Sequence, residues 1–205
     1  LLGVRAGVLE PTQDITPPGT GAAAATFLLG ASTPTLIAID AHAGISPLLE
    51  FPLDATGKPR EALVRTPVSQ PYEPPQLAAV QWENGEAEAF FTVVGKLAMT
   101  AIGRVPLRRT APIAALSPSR GYGELSFAVA RGKRRALFAF EVPTASTPQA
   151  ERRLELALSD GKHTEAGPSF EAPATAPSLM RTQGGYVLAF TRAGAVHAAL
   201  LGCSD

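Results

Sequence analysis

Glu88-Ala89-Phe90-Phe91-Thr92-Val93-Val94-Gly95 and Val187-Leu188-Ala189-Phe190-Thr191-Arg192-Ala193-Gly194 are two versions of one pattern, an apolar segment carried through a threonine to a glycine. Two further segments, Leu36-Ile37-Ala38-Ile39 and Leu137-Phe138-Ala139-Phe140, fall at the same interval, so that the four starts lie 52, 49 and 50 residues apart. Self-similarity at a fixed spacing of about 20–50 residues marks a repeat architecture, in which each unit buries its apolar face against its neighbours. The decisive question is whether each unit is a helical pair or a set of strands.

The unit around Glu88 answers for strands. Gln76 to Trp82, Glu88 to Val94 and Lys96 to Val105 are successive apolar runs, followed by a weaker one over Leu107 to Leu116 that contains Pro112. Asn84-Gly85 is a two-residue hairpin signal, and a proline is tolerated at a sheet edge, which suits the fourth run as outermost. The first unit reads as strands near 24–29, 35–40, 46–53 and 61–66. The third reads as 123–130, 134–142, 153–158 and a poor 169–172, with turns at Arg131-Gly132-Lys133 and Ser159-Asp160-Gly161. The fourth offers 178–182, 186–191 and 196–201 and then lacks a fourth strand. Gly3 to Leu9 is left over before the first unit, and pairing it with Val196–Leu201 would complete the last sheet and remove an open edge. Ala22 to Ala25, Leu77-Ala78-Ala79 and Ala128 to Ala130 are the small-residue runs expected where sheets converge on an axis.

In period and strand pattern the chain resembles bacterial β-propeller repeat proteins over nearly its whole length. The resemblance implies an all-β fold of about four blades, each of four short antiparallel strands, with the N-terminal strand closing the last. In that reading residues 1–205 form one domain, with units of 20–66, 76–116, 123–172 and 177–205 plus 3–9. A partial larger propeller whose other blades lie elsewhere, or a β-sandwich, would carry the same pattern. No Trp-Asp dipeptide of the WD40 kind, spaced kelch aromatics or Asp-box is present, so no residue role follows from the resemblance. It implies at most an extracytoplasmic setting, in the bacterial cell envelope or secreted.

Composition narrows the partners. Lysine and arginine number 18, aspartate and glutamate 18, for a formal charge of zero over 205 residues. That balance argues against nucleic acid as the main partner. No apolar run approaches the roughly 20 residues of a membrane-spanning helix. Glycine and proline number 19 each, which favours many turns over long helices. A single cysteine, Cys203, cannot form an intramolecular disulfide.

Several constellations compete for function. Gly19-Thr20-Gly21-Ala22-Ala23-Ala24 matches a dinucleotide fingerprint, with Asp40 placed 19 residues after Gly21 where a ribose-binding acid belongs. The mechanism needs a strand before the first glycine and a helix after the last, yet Ile15-Thr16-Pro17-Pro18 precedes it. No Gly-x-Ser-x-Gly elbow occurs, and His42, His163 and His197 are scattered, with Cys203 and His197 the nearest thiol and imidazole. Metal-ligand spacings are absent, although Asp40 and His42 could give two ligands from one loop. No catalytic residue, metal site or cofactor is expected. Arg131, Lys133, Arg134 and Arg135 read as a solvated hairpin, and Arg104, Arg108 and Arg109 read alike.

What remains is a loop surface. Loops joining the second and third strands of each unit lie on the face that also carries the connections between units. Asp40, His42, Tyr72, Glu73, Arg120, Tyr122 and Arg192 would gather there, and tyrosine and arginine on loops are interface-anchoring types. The sequence thus favours a non-catalytic binding or scaffolding module for a protein or glycan partner. A hydrolase or lyase working on one propeller face, and a nucleotide-binding α/β domain built on Gly19, Gly21 and Asp40, are the alternatives.

Overall fold

The computed structural model describes residues 4–5, 8–9, 21–40, 47–60, 64–68, 76–94, 100–116, 125–147 and 149–202. These residues are all-β, and no helix occurs among them. Past β1 (Val4–Arg5) and β2 (Val8–Leu9), the strands fall into four consecutive antiparallel meanders. The first comprises β3 (Ala22–Leu29), β4 (Thr35–Asp40), β5 (Leu48–Pro52) and β6 (Val64–Thr66). The second comprises β7 (Leu77–Gln81), β8 (Ala87–Val94), β9 (Thr100–Pro106) and β10 (Ala114–Ala115). In the third are β11 (Phe127–Arg131), β12 (Ala136–Pro143), β13 (Arg152–Ser159) and β14 (Thr164–Phe170), and the fourth has β15 (Thr175–Thr182), β16 (Gly185–Arg192) and β17 (Ala195–Leu201). The 50-residue sequence period is therefore one meander.

Alternation within each middle strand sends side chains to both neighbours, because successive residues of a strand point to opposite faces. Ile37, Ile39 and Leu48 pack against Ala89, Phe91 and Val105 between the first and second meanders. Phe90 meets Phe138 at 4.7 Å between the second and third. Leu137, Ala139, Leu154 and Leu156 meet Tyr186, Leu188 and Phe190 between the third and fourth. This double burial explains why the middle strands read as unbroken apolar runs. Much of the outward face of the first meander is also buried, at Ala38, Leu49, Phe51 and Leu53, while Phe27 on it is half-exposed.

The first strands of the four meanders lie together. Leu28 and Leu29 of β3 pair in parallel with Ala79 and Val80 of β7, which merges two meanders into one eight-stranded sheet. At the next junction Gln76 Oε1 accepts from the Phe127 N–H at 2.9 Å. Residues of β3, β7, β11 and β15, among them Ala24, Ala25, Ala78, Ala128 and Ala176, line a common cavity of about 670 Å³. The small-residue runs of the sequence are thus the strands that converge.

Three expectations are corrected. In the segment 3–9 expected to close the last sheet, the described residues pair with each other instead, Val4 with Leu9 and Arg5 with Val8. Two residues separate those pairs, and closing so short a loop costs far less chain entropy than reaching a strand nearly 190 residues away. Among the described residues β17 pairs with β16 alone, and the sheets do not close on one another. The fourth strand of the third meander runs over Thr164–Phe170 rather than 169–172. Gly167 and Pro168 disguise it, yet as an edge strand it tolerates both, and an added methyl on Gly167 would come within 3.0 Å of Leu156. Finally, Ala22–Leu29 is a strand where the dinucleotide-binding alternative requires a helix. Ala22 pairs with Asp40, whose Oδ1 accepts the Gly21 N–H at 3.2 Å, so the two ends of that motif satisfy one another as a strand pair.

Candidate functional site

Strands β3, β7, β11 and β15 all run toward one end of the array, where tight turns return the chain. The β7–β8 turn is fixed by its own sequence. The Trp82 N–H donates to the Glu86 carbonyl at 2.7 Å, and the Gly85 N–H to the Trp82 carbonyl at 3.0 Å. Asn84 Oδ1 accepts from the Glu86 N–H at 3.0 Å, and Gly85 sits at φ 83°, a conformation that favours glycine. The β13–β14 turn is held similarly. Asp160 Oδ1 accepts from the His163 N–H at 2.7 Å and the Lys162 N–H at 2.8 Å, while Gly161 takes φ 91°. Those N–H bonds, His163's foremost, hold the Asp160 carboxyl down at about 2.

Trp82 joins these turns. It is 4% exposed, its indole N–H donates to Glu88 Oε2 at 2.8 Å, and its ring meets Phe90 edge-on at 6.4 Å. Gly161 lies against the ring so closely that an added methyl would come within 2.8 Å of three ring atoms. Arg131 holds the ring from the third meander, with its Cζ 5.9 Å from the ring centroid and its Nε donating to the Gln81 carbonyl at 3.1 Å. Arg131, read in sequence as part of a solvated hairpin, is instead a junction residue. Nothing in its spacing sets it apart from Lys133, Arg134 and Arg135.

Two grooves flank Trp82. One, of about 460 Å³, is lined by Glu83, Asn84, Arg134, Arg135, Asp160 and Lys162. The other, of about 350 Å³, carries Glu86, Glu88, Arg104, Arg108 and Arg109. Two of their exposed ion pairs are loose, Arg134–Glu83 and Arg109–Glu86 both at 3.9 Å, whereas Arg135 meets Glu165 at 3.0 Å. Exposed pairs of this kind contribute about 0–1 kcal/mol, so these side chains can turn to an incoming partner at little cost. Arg108 differs, because its Nε donates at 3.0 Å to the buried Glu50. The grooves therefore present movable charges of both signs on a fixed floor.

The two described residues among those proposed from sequence lie elsewhere. Asp40 ends β4 and Arg192 ends β16, both at the opposite end of the array and in its first and fourth meanders. Asp40 is buried, and Arg192 is exposed beside the β16–β17 turn. His42, Tyr72, Glu73, Arg120 and Tyr122 lie outside the described residues, as do Gly19 and Cys203. His197 is exposed and stacks on Phe190 at 5.5 Å. Among the described residues no three His, Cys, Asp or Glu side chains cluster as a metal site would require, and no helix is long and apolar enough to cross a membrane. No protein-family model matches the chain, and no curated protein matches it in sequence.

Proposed function

We propose that the chain is a non-catalytic binding module whose meanders are successive blades of a propeller-like array, in the manner of bacterial β-propeller repeat proteins, and that it engages a protein partner through the turn end around Trp82. The observation that carries this reading is the pair of mixed-charge grooves on turns locked by their own hydrogen bonds. A preorganised floor with complementary charges gives specificity and orientation more than raw affinity. A protein surface bearing charges of both signs suits it better than a glycan does. Sugar recognition would need an open aromatic face, and the Trp82 ring is covered by Gly161 and held by Arg131.

Arrays of charged peptides and of glycans, probed with the chain and with an Arg134→Glu/Lys162→Glu variant, test the reading. The expected result is peptide binding that weakens with salt and disappears in the variant, while the melting temperature stays put. Glycan binding that survives the charge reversal would overturn it.

A further inference from the structure

The fourth meander has two unlike faces. Cross-strand register places Met180, Val187 and Leu200 in one row of its outward face, Ser178, Ala189 and Ala198 in the next, and Thr191 with Val196 in a third. Every side chain in these rows is uncharged. The meander's titratable residues, Arg181, Arg192 and His197, take the register positions of Tyr186, Ala195 and Phe190, on the face turned toward the third meander. A sheet face meant for water reverses this pattern, with polar residues outward. Here Met180 is 61% exposed, Val196 81% and Leu200 75%.

Elsewhere among the described residues such faces are largely covered. The three junctions between meanders bury rows of the same composition, and on the outward face of the first meander Ala38, Leu49, Phe51 and Leu53 are at most 4% exposed, leaving Phe27 half-exposed beside them. A second copy stacked head to tail would find little apolar area on the first meander, whose outward face is covered among the described residues except at Phe27. It can offer the same bare face. Two such faces meeting across a two-fold axis would remove roughly 500–600 Å² from each copy, about 1,100 Å² in all, which reaches the lower range of specific interfaces.

We propose that the outward face of β15–β17 is a homodimer interface, formed isologously by two copies of this chain. The area sets a reversible, concentration-dependent association rather than a permanent dimer. This goes beyond the binding reading and is independent of it, since the turn end around Trp82 remains open in the dimer and either proposal can fail alone.

Sedimentation velocity across a concentration series tests it on the 205-residue chain. The expected result is a monomer–dimer equilibrium, with Val196→Asp/Leu200→Asp raising the dissociation constant roughly 100-fold or more because like charges are driven together in an apolar contact. Far-ultraviolet circular dichroism checks that the variant stays folded. Should it not fold, Met180→Lys, which alters one exposed side chain, is expected to weaken the dimer roughly tenfold by the same repulsion. In a Cys203→Ser background, Ala189→Cys at the middle of the face should cross-link to itself through a short bis-maleimide, and Lys162→Cys at the turns should not. A chain that stays monomeric to about 500 μM, a dimer indifferent to the folded substitutions, or cross-linking through Lys162→Cys alone would each overturn the proposal.

Discussion

Glu50 is 1% exposed, yet it carries a carboxylate, and Arg108 meets it at 3.0 Å. Its Oε1 is buried with no hydrogen-bond partner among the described residues. Arg108 comes from the second meander, sits at φ 65°, and is anchored by its N–H to Thr66 Oγ1 at 3.0 Å. Arg108→Ala therefore strands a buried charge, and we expect a loss of about 3 kcal/mol or more, a fall of roughly 6–12 °C in melting temperature. Adding Glu50→Gln should recover part of that loss by removing the charge, and calorimetry of the pair of variants reads the difference. Asp160 carries the opposite lesson, because its carboxyl is exposed and lowered to about 2 from 3.8. A depressed carboxylate contributes fully above its unfolded value and loses that contribution as pH falls through its folded one. The stability difference between the wild type and Asp160→Asn should thus be constant above about pH 5 and shrink between pH 4 and 2, as chemical denaturation at stepped pH would show.

Much of the strand framework is legible in the residues. The Asn84-Gly85 and Arg131-Gly132-Lys133 signals lie at the hairpins they announce, and the apolar segments at 36, 88, 137 and 187 are in β4, β8, β12 and β16. Legibility fails where tertiary context overrides local chemistry. β14 contains Gly167 and Pro168, and β10 shrinks to Ala114–Ala115 beside Pro112 and Ile113. The Trp82 site was not foreseen at all, because Gly161 and Arg131 reach it from the next meander, 79 and 49 positions along the chain. Local sequence spacing encodes pairing inside a meander, whereas contacts between meanders depend on which edge each side chain happens to face. The self-pairing of β1 and β2 supplies the prediction at this scale. Deleting residues 1–10 should leave amide exchange of β17 unchanged, and faster exchange there would restore the closing-strand reading.

At the scale of the molecule, the four meanders follow one another in space as they do in sequence, each chiefly touching the one before and the one after. Stability in such an array is a sum of unit and nearest-neighbour terms. The fourth meander has one buried face, so at dilutions where the chain is monomeric its amides should exchange faster than those of β11–β13, as mass-spectrometric exchange would record. The β3–β7 pairing makes the other extreme: the first two meanders share strand-pairing hydrogen bonds, while the later junctions rest chiefly on side chains, with a backbone bond from the Ala174 N–H to the Arg152 carbonyl at 2.7 Å. That asymmetry gives the chain a direction on the ribosome. The half that leaves first can knit itself into a single sheet before the rest is made, and each later unit then condenses on a surface that already exists. A nascent chain stalled after β10 should accordingly hold a folded core, whereas the reverse order of synthesis, in a circular permutant beginning at β11, would leave its first-made units waiting for their template.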